Sequence, residues 1–208
     1  MGHSQDSKLD THAKILDAAG KRFREAGLEG IGVADLMQEV GLTVGGFYKH
    51  FTSRAALVAE ALSTMRTGWD AIFADALEQQ QPNPVLFDAL VDSYLSAEHR
   101  DHPGEGCLFA ALSCELGRAD EDARAVATRK LSTVLEKLTK VFDDRRAPAA
   151  RAAALFAYSA LVGALSLARA TNDEALSREI LTTTAKGLKN GLRPARAARA
   201  KRSAKGRL

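Results

Sequence analysis

The run Thr43-Val44-Gly45-Gly46-Phe47-Tyr48-Lys49-His50, followed by Phe51, most constrains what this chain can fold into. It comes after an amphipathic segment and a glycine turn (Leu36, Met37, Val40, Gly41). Two adjacent glycines each weaken a helix by up to about 1 kcal/mol relative to alanine. Here they stand between a good N-cap, Thr43, and a Phe-x-x-x-Phe pair. At 3.6 residues per turn Phe47 and Phe51 share one face and can pack inward. Gly45, Tyr48 and Lys49 fall opposite, with Val44 beside Tyr48. The sequence therefore predicts a short helix propped by two rings. Its outer face carries little bulk, one cation, one phenol and one small apolar group. That face suits the floor of a DNA major groove, with Lys49 on phosphate or guanine and Val44 on a thymine methyl. The free N–H groups near Thr43 and Val44 suit a phosphate.

The rest of the chain reads as all-α. It is rich in Ala and Leu, has only five prolines in 208 residues, and shows no turn dipeptide between alternating runs. A first helix is expected over about 11–26, with Ile15, Leu16, Ala19 and Phe23 on one face and Gly27 at its end. A second covers about 33–40, and the short helix starts at Thr43. Two small helices about a glycine turn form a helix-turn-helix pattern, buttressed by the first. A fourth helix is expected from Ser53 to about Gln80, long enough to join two lobes. After the break Gln81-Pro82-Asn83-Pro84, helices are expected over about 84–99, 105–117, 120–145, 148–170 and 173–190, giving about nine in all.

With 46% hydrophobic residues, the chain can bury a real core. The net charge of +3 is unevenly placed. Residues 193–208 hold seven basic groups and no acid, whereas residues 1–192 hold 22 basic and 26 acidic groups. A disordered tail that binds anions loosely is expected there. Residues 1–60 carry seven basic and eight acidic groups, so DNA affinity must come from local placement. Cys107 and Cys114 lie seven apart, about 10.5 Å along a helix. A disulfide needs Cα atoms within about 7 Å, so the two cannot bridge each other. The first residues are polar and no apolar run nears the roughly 20 residues of a membrane span, so a soluble, reduced, cytoplasmic protein without membrane contact is expected.

Phe23 and Gly27, then Asp35-Leu36, Gly41-Leu42-Thr43, Gly45, Phe47-Tyr48, His50-Phe51 and Leu57 resemble the N-terminal signature of the TetR family of bacterial transcriptional regulators. The resemblance is firm over residues 11–60. It implies a three-helix DNA-binding domain followed by a helical ligand-binding and dimerisation domain, acting mostly as a ligand-released repressor. The implied organisation is a flexible N-terminus at 1–10, the helix-turn-helix domain at 11–53, the ligand and dimer domain at 54–192, and the basic tail at 193–208. Carried over by position, Thr43, Val44, Gly45, Tyr48, Lys49 and His50 would face double-stranded DNA, with Tyr48 and His50 mainly on phosphate. Arg54 stands where the family usually has lysine and keeps a phosphate-facing charge. Gly32 departs from the family's Ser or Thr and loses a side-chain cap. Gly106-Cys107-Leu108-Phe109 and Cys114-Glu115 resemble a subgroup, some members of which sense electrophiles or oxidants through such a cysteine.

Several aromatics at helical spacing would line an effector cavity or form ordinary core: Trp69, Phe73, Phe87, Tyr94, Phe109 and Phe156, with Cys107 among them. Cys107 near a helix start could be a reactive thiolate or a buried small hydrophobe. Cys114 lies in an Ala/Leu context that reads as buried. The small-residue helix 148–170, paired with 173–190, would form half of a four-helix dimer interface. No catalytic motif, metal-binding spacing or cofactor signature is present, so the chain is not read as an enzyme. Three readings follow: a homodimeric ligand-responsive repressor on a palindromic operator, a helical interaction module whose tail binds nucleic acid without sequence choice, and a regulator sensing through Cys107.

Overall fold

The computed structural model describes residues 2–67, 84–142 and 148–194. Among the described residues are ten α-helices, one 3₁₀ turn and no strand, as the composition predicts. Helix α1 spans Gly2–Ala26, α2 Val33–Glu39, α3 Val44–Phe47 and α4 Arg54–Thr64. Then come α5 Pro84–Tyr94, α6 Ala97–Asp101, the 3₁₀ turn Pro103–Glu105, α7 Leu108–Leu116, α8 Glu121–Phe142, α9 Pro148–Ala170 and α10 Glu174–Leu192.

Helix α1 buries the predicted stripe of Ile15, Leu16, Ala19 and Phe23. It packs on α2 and α4, and also on the 3₁₀ turn and α7. Its end is left-handed: Gly27 has φ +85° and donates its N–H to the Phe23 carbonyl at 2.9 Å. Helix α2 ends in a Schellman pair. Gly41 (φ +75°) donates to the Gln38 carbonyl at 3.0 Å, and Leu42 to Met37 at 2.8 Å. This fixes the turn between α2 and α3. Two expected side-chain caps form: Ser53 Oγ accepts the Ala56 N–H at 3.0 Å, and Asp173 Oδ1 accepts from Ala175 and Leu176. Gly32, at the N-cap of α2, supplies no side-chain bond.

Several helices differ from the sequence expectation. Helix α4 stops at Thr64 instead of running to Gln80, and Met65 turns extended (ψ 142°). The next two carbonyls have tertiary partners: Met65 accepts from Lys130 Nζ at 2.6 Å, and Arg66 from the Leu108 N–H at 3.3 Å. Residues 68–80 of the expected helix lie outside the described residues. The expected helix 84–99 divides at Leu95-Ser96, because Ser96 caps a new start by accepting the His99 N–H at 3.1 Å. Helix α7 begins at Leu108 rather than 105, and Pro103 opens a separate 3₁₀ turn before it. The first helix begins well before residue 11, at Gly2.

Helices α8, α9 and α10 pack side by side, α4 lies on α8, and α5 lies on α10. Helix α9 corrects the expectation about apolar runs. An 18-residue window within it reaches a mean hydropathy of 1.5, so by length and composition it could cross a membrane. Its Ala154, Ala157, Tyr158, Leu161, Ala164, Leu165 and Ala168 are buried against the protein instead, as in a core helix. The basic tail begins later than residue 193: Arg193 Nη2 pairs with Asp88 at 2.6 Å and Pro194 is buried, while residues 195–208 lie outside the described residues.

Gly27 tests this end of α1. A Cβ there would sit 2.9 Å from Glu115 Oε1, on a backbone that L residues adopt at a cost of about 1–2 kcal/mol. Gly27→Ala should therefore lower the unfolding free energy by about that amount, read as a lower denaturant midpoint with an unchanged slope in equilibrium unfolding.

Candidate nucleic-acid interface

Helix α3 is shorter than the sequence suggests. After Phe47 the backbone tightens into i→i+3 bonds, from Lys49 N–H to Gly46 at 3.1 Å and from His50 N–H to Phe47 at 2.9 Å. The Phe51 N–H still reaches the Phe47 carbonyl at 3.0 Å, so both rings stay on one side. They are buried to 1% and 3% exposure, with centroids 5.4 Å apart. Met37 and Leu57 are buried in the same core. Thr43 holds the N-cap position with extended backbone, but its carbonyl, not its hydroxyl, makes the first bond, to the Gly46 N–H at 2.9 Å.

Opposite the rings, Thr43, Val44, Gly45, Tyr48 and Lys49 are all exposed. Tyr48 is 70% exposed and stands edge-on to Phe47, with centroids 5.2 Å apart. A Cβ added to Gly45 would meet nothing closer than Thr43 Oγ1 at 4.0 Å, so the space above it belongs to solvent. This is the bare outer face read from the sequence.

His50 sits at its edge, half-buried, with its ring 5.7 Å from His12 and 6.3 Å from Phe51. His12 in turn stacks on Phe51 at 4.6 Å and meets Glu60 at 3.1 Å. Burial, then the neighbouring His12, Lys8 and Lys49, hold the His50 pKa below its usual 6.5. The Arg54 guanidinium bonds the Glu29 carboxylate at 2.9 Å and the Leu28 carbonyl, and lies 6.0 Å over the Phe23 ring. It straps the loop after α1 to the start of α4.

The C-terminal residues divide differently from the sequence reading. Phe87, Tyr94, Cys107 and Phe109 are buried, while Trp69 and Phe73 lie outside the described residues. Phe156 is 64% exposed and does not line an interior. The buried series of α9 puts Tyr158 inside, 6.1 Å from Phe109 and 6.4 Å from Tyr94, and turns Phe156 out with Leu155, Gly163 and Leu167.

Cys107 is fully buried at the N-cap of α7, with its Sγ 3.4 Å from the Tyr158 hydroxyl. Cys114, expected to be buried, is exposed. The Cys107 N–H donates to His99 Nε2 at 2.9 Å, and His99 Nδ1 donates to the Tyr94 carbonyl at 2.8 Å. Both ring nitrogens are thus used by the neutral form, and burial holds the His99 pKa down. Arg169 bonds the carbonyls of His99 and Arg100, and Arg24 of α1 bonds that of Gly104. The contacts made by Arg169 and Arg24 in this network span 69 to 80 residues, so they have no short-range sequence signal.

The pinned turn, the ring-backed α3 and the bundle behind it define a helix-turn-helix protein with a larger helical part. The family profile described as bacterial regulatory proteins, tetR family, matches residues 15–61. The HTH-type transcriptional regulator Rv0196 of Mycobacterium tuberculosis strain H37Rv is 30% identical over 178 residues, covering 77% of this chain and 84% of its own length. The chain belongs to the TetR family of bacterial regulatory proteins. The HTH-type transcriptional regulator TtgR of Pseudomonas putida is 23% identical over 141 residues, and the chain spans 56% of that relative's length. Among solved structures, E. coli NemR in its reduced form superposes with a TM-score of 0.73 at 21% identity, over 87% of this chain and 96% of that one. A TetR-family regulator from Agrobacterium tumefaciens gives 0.73 at 21% identity, over 89% and 98%. Both show a shared fold.

Because the folded His50 favours its neutral form, its contribution to stability is full above the unfolded value near 6.5 and is lost as pH falls from there through the lower folded pKa. An NMR titration of His50 should give a midpoint below 6.5, and His50→Asn should flatten that part of the stability–pH curve.

Proposed function

We propose that this chain is a DNA-binding transcriptional regulator that acts as a homodimer and releases its operator when a small molecule binds. The carrying observation is the α3 face, bare at Gly45 and open at Val44, Tyr48 and Lys49, on a pair of buried phenylalanine rings. Two such faces per dimer would enter successive major grooves about 34–36 Å apart. In this reading residues 11–53 bind DNA and residues 54–192 bind effector and partner. Thr43, Val44, Gly45, Tyr48 and Lys49 meet the duplex, His50 borders it, and Arg54 supports from within. Family membership and a set of residues without a catalytic motif favour regulation over catalysis.

The partner surface is the open face of α9 and α10. Leu155, Phe156, Leu167 and Leu176 are 43–64% exposed there, and a Cβ at Gly163 or Gly187 would meet nothing within 4 Å. Apolar side chains around open glycines suit close helix–helix approach across a two-fold axis. The complete burial of Cys107 favours a packing role over direct sensing.

Two experiments check this. Binding to duplex DNA flanking its own gene should survive excess random competitor, and Tyr48→Ala with Lys49→Ala should weaken it by about 1–3 kcal/mol per lost contact, with a shallower salt slope if Lys49 meets phosphate. Unchanged binding in the double variant rejects the assigned face. Separately, Phe156→Glu with Leu167→Glu should sediment as a monomer with native helicity, whereas a persistent dimer places the interface elsewhere.

A further inference from the structure

The C-terminal end of α1 is not completed by its own chain neighbours. In the Schellman ending of α2, the two N–H groups past the helix both return to helix carbonyls. At the end of α1 only Gly27 does so, taking the Phe23 carbonyl. The next N–H, that of Leu28, donates instead to Glu115 Oε2 at 2.7 Å, from α7. A backbone N–H bonded to a carboxylate is worth roughly twice a neutral bond. The carboxylate also lies against Gly27, where a Cβ would meet its oxygens at 2.9 and 3.0 Å. One turn earlier Arg24 donates from Nε to the Gly104 carbonyl at 2.7 Å, just before α7. The last turn of α1 is therefore gripped twice by the segment that carries Cys107 and α7.

We infer that Glu115 is the positioning residue that transmits the state of the C-terminal helices to the DNA-reading helices, by completing the end of α1 from α7. This rests on the DNA-binding reading above. Three observations carry it. Helix α7 packs on both α1 and α9, so it touches the two parts whose relative placement would matter. Leu28 is followed directly by the loop that Arg54 straps to α4 through Glu29 and the Leu28 carbonyl, so the Leu28 peptide is held on one side by α7 and on the other by α4. Glu115 also lines an open cleft of about 470 Å³ with Leu28, Arg54 and Arg118, so the bond can open without disturbing the buried core. A shift of α7 would drop the Leu28 N–H, free the loop and release α2 and α3 from their set angle.

The test uses the full chain with Glu115→Ala and Glu115→Gln, the second keeping an acceptor of similar reach. Amide exchange at Leu28 and affinity for the duplex flanking its own gene are measured together. The expected result for Glu115→Ala is exchange at Leu28 faster by about tenfold or more, with amides of α8–α10 still protected. DNA affinity should fall about 5- to 150-fold, the usual range of coupling between sites. Glu115→Gln should stay near the wild type in both. Unchanged exchange at Leu28 in Glu115→Ala overturns the inference, and so does faster exchange with unchanged affinity. If the wild type binds no such duplex, the DNA-binding reading fails first. The grip is then judged on whether Glu115→Ala splits a single thermal transition into two; one transition in both proteins overturns it.

Discussion

The C-terminal half of α1 is claimed by two sets of neighbours at once, and the remaining architecture follows from that. Its apolar stripe packs on α2 and α4, while its polar edge and last turn meet the 3₁₀ turn and α7. Burying a phenylalanine side chain contributes about 1.5–3 kcal/mol, so Phe23, Phe47 and Phe51, each at 3% exposure or less, hold the small three-helix unit together. The opposite attachment is made of directional bonds from Arg24 and the Leu28 N–H, which fix an angle more than they add cohesion. An apolar side supplies stability and a polar side supplies orientation. That division separates what holds the three-helix unit together from what sets its angle on α7.

Much of the three-helix unit is legible because its signals are local. Glycines with positive φ, a Phe pair four apart and a serine cap each act within one turn, and all appear where the spacing puts them. The same holds for α9, whose bounds match the sequence reading. What failed to be legible was long-range. Helix α4 ends at Thr64 because Lys130 and Leu108, more than 40 residues away, bond the carbonyls past it. Phe156 was misplaced because α9 is apolar nearly all round, so its polarity pattern does not tell the buried face from the open one. Cys114 was misplaced for the same reason on α7. The bonds of Arg54 to Glu29 and to two carbonyls are likewise set by residues 23 to 26 positions away.

His99 shows how a buried polar group can organise a site without titrating near neutrality. It is neutral, accepts at one nitrogen and donates at the other, and thereby aligns the start of α7 with the end of α5. Gly106 makes this possible, since a Cβ there would lie 2.7 Å from the His99 ring and 3.0 Å from Arg169. A methyl group at that position would force the imidazole and the guanidinium apart.

The internal engagement of cations in the first sixty residues has a kinetic corollary. Four of its seven basic side chains, Lys21, Arg22, Arg24 and Arg54, already face the protein's own acceptors. Loose adhesion to arbitrary duplex grows with the number of phosphates a protein can neutralise, because each one frees condensed counterions. Within this region such adhesion falls to Lys8, Lys14 and Lys49. Encounters of these sixty residues with an arbitrary polyanion are therefore short-lived, and any longer hold must come from the basic groups beyond residue 194.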